Sequence, residues 1–128
     1  YAGKVSGPLL DRIDLHLTLP PVDLESLQGP PGEASEPVRA RVARCRERQL
    51  ARQGKPNAAL AGAELERHCP LQPPARDLLL QAMRRLAGSG RAMHRALRVA
   101  RTIADLEAAD RLEPHHVAQA VQYRRPGA

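Results

Sequence analysis

The run at residues 13–19 limits what this chain can build. Ile13, Leu15, Leu17 and Leu19 are apolar, and Asp14, His16 and Thr18 between them are polar. Alternation with a period of two is the signature of a half-buried strand. Ser6-Gly7-Pro8 forms a turn ahead of it, and Pro20-Pro21 ends it, because proline brings no N–H to a ladder. One strand cannot make a sheet. Its sheet is therefore short or lies outside this chain, and the remaining residues must form their core from helices. Arg12 stands at the mouth of the strand, just after the turn, where a long cationic side chain can reach a ligand or a neighbouring subunit.

The 128 residues contain no Trp, no Phe and two Tyr. The length suits one domain, with a core of Leu, Ala, Val and Ile and modest stability. Residues 21–34, with Pro21, Pro30, Pro31, Gly29 and Gly32, read as a linker. Residues 35–52 read as a helix, with Ser35 as its cap, Glu36 and Pro37 in its first turn, and Gly54 and Pro56 beyond its end. Its apolar residues, Val38, Val42, Cys45 and Leu50, are sparse and predict a narrow packed stripe. Its arginines predict a basic remainder.

Short helical segments follow at 63–68 and 74–87, closed by Pro70 and opened by Pro73-Pro74. A longer helix spans 91–106, after Gly88-Ser89-Gly90. There Met93, Ala96, Leu97, Ala100, Ile103 and Ala104 share one face, with Arg91, Arg95 and Arg98 on the other. Glu113-Pro114 starts a last helix. The expectation is a mainly α fold: one orphan strand and a bundle of about four to five helices. The expected divisions are residues 1–20, a linker at 21–34, a helical domain at 35–124 and a frayed tail at 125–128.

The formal net charge of +6 points to polyanionic partners. The alternative is arginine used in place of lysine on a solvated surface, since Lys4 and Lys55 are the lysines. Cys45 and Cys69 lack zinc or redox spacing and read as reduced thiols, which suits a cytoplasmic protein. No apolar run is long enough to cross a membrane, and no signal peptide is evident. His115-His116 are adjacent and are expected to point to different sides of a helix. Together with His68-Cys69, they read as structural or exposed rather than as metal ligands, so no metal site is expected. A Ser/His/Asp site has no support.

Three motifs occur in order: LLDRIDL at 9–15, ELERHC at 64–69 and RVARTIADL at 98–106. With them the chain resembles the C-terminal part of the magnesium-chelatase-like AAA+ ATPases of the ComM (YifB) type, over residues 1–124. The resemblance implies the last strand of an α/β ATPase core followed by a helical lid, and so accounts for both the orphan strand and the abrupt start at Tyr1. It implies that Arg12 is an arginine finger acting on a neighbour's nucleotide, and that Arg91 is a sensor-2 arginine with Arg95 as a second candidate. It implies ATP with Mg²⁺ as cofactors of the full-length protein, identical neighbours in a ring, expected to be a hexamer, and work on DNA connected with natural transformation. The alternatives are a magnesium-chelatase ATPase subunit and a non-enzymatic basic helical module.

G-x-x-x-x-G-K-[ST] is absent from this chain, as is a strand ending in an acidic pair. The fragment alone is expected neither to hold ATP nor to hydrolyse it. Arg39, Arg44, Arg46 and Arg48 are candidate contacts to DNA or a partner, although no aromatic residue is interleaved for base stacking. Arg98 and Arg101 read as a solvated face. Asp11 and Asp14 flank Arg12 and are expected to orient it.

Overall fold

The computed structural model describes residues 14–17, 19, 28–29, 32–85 and 90–123. Among these residues five helices carry the fold. They are α1 (Ser35–Gln53), α2 (Gly62–His68), α3 (Pro73–Arg85), α4 (Gly90–Leu106) and α5 (Pro114–Gln122), with a 3₁₀ turn at Asn57–Ala59 between α1 and α2. The mainly α expectation holds. Leu71 and Leu112 form an isolated parallel bridge, and no strand forms among the described residues. Residues 14–17 and 19 carry no ladder. In place of a partner strand, the His16 N–H donates to the carbonyl of Tyr123 at the end of α5 (2.7 Å).

The helix ends follow local chemistry. Gly54 closes α1 in the left-handed region (φ 76°), and its N–H reaches Leu50 O at 2.9 Å. Glycine adopts that conformation without a Cβ penalty. Ser35 does not cap α1: it is the first helical residue, Ala34 holds the cap position, and no side chain bonds there. Glu64 caps α2 by accepting the Ala61 N–H at 3.1 Å. Pro114 opens α5, where a missing N–H costs nothing.

α4 is the central helix, packed against α1, α2, α3 and α5. Ala92, Ala96, Ala100 and Ala104 form a ridge at four-residue spacing, each at most 5% exposed. Small residues along a ridge let neighbouring helices approach closely. A core without Phe or Trp is closed in this way by helices lying near one another. Leu60, Leu65, Leu79, Leu112 and Val117 fill the remaining space. Each such side chain contributes roughly 1.5–3 kcal/mol of burial.

α1 is different. Every described residue from Gly32 to Arg44 is exposed, and only Cys45 and Gln49 of the helix are buried. The expected stripe is therefore mostly uncovered, with Val38, Val42 and Leu50 exposed. Val38 and Val42 lie close to the Cys45 direction on the helix, but the other helices meet α1 only along its C-terminal half.

Candidate functional site

Four arginines of α4 were read from sequence, and the fold gives them different surroundings. Arg91 lies in the first turn of α4, exposed, and makes no ion pair among the described residues. Arg95, one turn on, is mostly buried, with Nε 3.6 Å from Asp14 Oδ1. Its Nη1 is buried without a hydrogen-bond partner. Asp14 thus meets an arginine of α4. Arg12, Asp11 and the Ser6-Gly7-Pro8 turn lie outside the described residues.

Arg98 and Arg101 do not form a solvated face. Arg98 Nε donates to Leu60 O at 2.9 Å. Arg101 is 2% exposed and donates to Ala109 O (2.7 Å) and Asp110 O (3.2 Å). Its Nη2 lies 3.1 Å from Asp105 Oδ1. The arginine-to-aspartate spacing of four residues is legible in RVARTIADL, but spacing alone does not distinguish a buried pair from a solvated face.

Around Asp105, α1 and α4 are joined by a polar clamp. Arg52 donates to both carboxylate oxygens, at 2.8 and 3.0 Å, in the bidentate arrangement that suits guanidinium. Asn57 Nδ2 reaches Asp105 Oδ2 at 2.9 Å and Thr102 Oγ1 at 3.1 Å. The Asn57 N–H donates to Gln49 Oε1, and Asn57 Oδ1 accepts from Arg52 and Gln53. Arg48 donates to the Asp105 carbonyl at 2.7 Å. Burial pushes the Asp105 carboxyl up. Hydrogen bonds from Arg52 and Asn57, with the charges of Arg101 and Arg52, outweigh it and hold the group below its usual range. Ala108, in the left-handed region (φ 60°), turns the chain after α4 and presents the two carbonyls that Arg101 takes.

The sequence reading missed Gln49, Asn57 and Asp105. They take partners from other elements, 48 residues apart for Asn57 and Asp105 and 57 for Arg48 and Asp105. Lys55 pairs with Glu64 and ties the connector to α2.

His115 and His116 converge, contrary to the expectation from adjacency: both reach Glu107, each by Nε2 at 3.2 Å. Their rings lie 3.9 Å apart, centroid to centroid. The two nitrogens and the carboxylate lie within 4.8 Å of one another, a spacing a metal ion can bridge. The ring chemistry opposes it. His116 Nδ1 accepts the Glu113 N–H at 2.9 Å, which leaves the ring proton on Nε2. A metal ligand needs a bare nitrogen at that atom. The hydrogen bond from His115, against slight burial, draws the Glu107 carboxyl below its usual range.

On α1, Arg39 pairs with Glu36 and Arg41 with Glu33. Arg44 and Arg46 are exposed and make no ion pair among the described residues. Of the four α1 contact candidates, Arg48 is already engaged inside the clamp. Cys45 and Cys69 are free and buried.

Residues 32–124 match the family described as magnesium chelatase, subunit ChlI C-terminal. The chain belongs to this family. It is 44% identical over 126 residues, 97% of its length, to the competence protein ComM of Haemophilus influenzae. It is equally similar to the uncharacterized protein YifB of Salmonella typhimurium. The uncharacterized protein Rv2897c of Mycobacterium tuberculosis is 38% identical over the whole chain. The chain spans about a quarter of the length of these relatives. No helix among the described residues is long and apolar enough to cross a membrane.

Proposed function

We propose that this chain is the lid of a magnesium-chelatase-like AAA+ ATPase together with the segment that leads into it. In this reading Arg12 supplies an arginine finger to a neighbouring subunit's nucleotide, and Arg91 senses the γ-phosphate. The observation that carries the reading is the standing of Arg91. Arg95, Arg98 and Arg101 each have an acceptor or carboxylate of this chain, whereas Arg91 has no ion pair among the described residues and projects at a helix N-terminus. The positive end of the helix dipole and a free guanidinium favour an anion there.

The residues of this chain do not themselves cradle ATP and Mg²⁺, since no phosphate-binding loop is present. That site belongs to the rest of a longer protein, as the relatives' greater length supports. When bound, Mg²⁺ neutralises phosphate charge, and the arginines of this chain add charge at the transferring group. In this reading identical subunits form a ring, a hexamer, and bring Arg12 of one to the nucleotide of the next.

The basic ridge of α1, with Arg44 and Arg46 free and Arg39 loosely paired, supports DNA as the substrate of the assembled protein. The name of the Haemophilus relative, a competence protein, favours this over the magnesium-chelatase reading.

The test is ATP turnover by the full-length protein. Arg12→Ala lowers turnover about 10³-fold while ATP binding persists. Normal turnover in that variant removes the finger. Arg91→Ala weakens hydrolysis or nucleotide affinity; if Arg91→Ala is silent, the sensor assignment to Arg91 is wrong.

A further inference from the structure

We infer that Asp14 and Arg95 are a positioning pair that fastens the segment leading out of Arg12 to the helix that carries Arg91. Finger and sensor of one subunit then move as a unit. The inference rests on the proposed roles of Arg12 and Arg91.

Two contacts, different in kind, make the fastening. Arg95 Nε and Asp14 Oδ1 are 3.6 Å apart, with the arginine side chain 11% exposed. Arg95 Nη1 is buried and without a hydrogen-bond partner, so Asp14 supplies the countercharge of a guanidinium that water barely reaches. The His16 N–H donates to Tyr123 O, tying the same segment to the end of α5. Beside these contacts Leu15 and Leu17, 49% and 68% exposed, stand at the rim of an open groove of about 540 Å³ that Val99, Ile103 and Leu106 also line.

The path between the two functional arginines is short. Arg12 is two residues from Asp14, at most about 7 Å along the chain. Arg91 precedes Arg95 by four residues, about 6 Å along the helix axis. A shift of α4 on nucleotide binding is passed to Asp14 through this charge pair: the carboxylate is 47% exposed, while separation leaves the Arg95 side chain, 11% exposed, without its countercharge. The finger completes its neighbour's site in the transition state, so the pair bears on kcat more than on KM.

The experiment uses the full-length protein and its ATP turnover. Wild-type hydrolysis and its loss in Arg12→Ala test the underlying reading independently. Absence of wild-type hydrolysis overturns that reading and this inference together.

Given hydrolysis, Asp14→Ala lowers kcat about tenfold with KM for ATP changed less than about twofold. Asp14→Glu restores most of the loss. The exchange Asp14→Arg with Arg95→Asp recovers a large part of what either single change removes. That recovery separates pairing from general misfolding, since two disruptive changes without pairing only compound. Unchanged kcat in Asp14→Ala overturns the pair, as does an exchange variant no better than the worse single variant.

Discussion

Arg44 and Arg46 stand in solvent on α1, while Arg52, about two turns further along the same helix, grips a carboxylate that is 1% exposed. The two halves of α1 are written in nearly the same residues. The N-terminal half runs past the edge of the other helices, so its arginines find water and its valines find nothing to pack on. The C-terminal half lies along α4, where Asp105, Thr102 and the carbonyls at the end of the helix need donors. Arginine serves the second setting because its fork satisfies carboxylate and carbonyl together and its charge suits a helix C-terminus. A basic helix is thus a surface at one end and a structural clamp at the other, and composition does not separate them.

The contrast breaks first at Asp105. Asp105→Ala leaves Arg52 and the buried Arg101 without their carboxylate, and we expect a loss of roughly 3–5 kcal/mol in chemical denaturation. A loss below about 1 kcal/mol would mean that solvent reaches the clamp.

Asn57→Ala is the next largest. It removes the amide that bridges Asp105 and Thr102 from a site 1% exposed. The expected cost is about 1–3 kcal/mol, with Asn57→Asp no better, because a second carboxylate cannot donate.

The pH dependence of stability sharpens the comparison from the alkaline side. Burial pushes the Cys69 thiol from 9.0 up to about 11. The unfolded thiol ionises first, so the stabilisation held below pH 9.0 is lost as pH rises towards about 11. Replacing Cys69 by Ala flattens that limb of a stability–pH curve.

The smallest effect belongs to the ridge. Arg44→Ala and Arg46→Ala change stability by less than about 0.5 kcal/mol. If the ridge meets DNA, each change instead lowers the salt dependence of binding by the full-length protein by about one counterion. A large stability loss from either would place the N-terminal half of α1 in the same class as the clamp.

Helix order and ends were largely legible in the sequence. Prolines at 70, 73 and 114 and glycines at 54 and 90 mark real boundaries, and the inward alanines of α4 sit where their spacing put them. The exception at Ser35 is instructive: a good cap residue sits one position inside the helix, because the preceding segment already supplies the extended backbone at Ala34. The clamp was not legible. Arg101 and Asp105 show a helical spacing that fits an exposed ion pair equally well, and their burial depends on Asn57 and Gln49 arriving from elsewhere. The convergence of His115 and His116 on Glu107 was hidden too. It requires the turn at Ala108 to bring the end of α4 back beside α5.

By itself, then, the sequence determined the helical class, the aliphatic core, the element boundaries and the family motifs, because these rest on local periodicity, backbone punctuation and residue type. Only the tertiary structure decided which arginines are free and which are engaged. A guanidinium is soluble everywhere on a helix until the fold brings an acceptor within about 3 Å of it. Arg91 and Arg101 are chemically the same residue, ten positions apart on one helix, and their different standing comes from the neighbours that folding supplied.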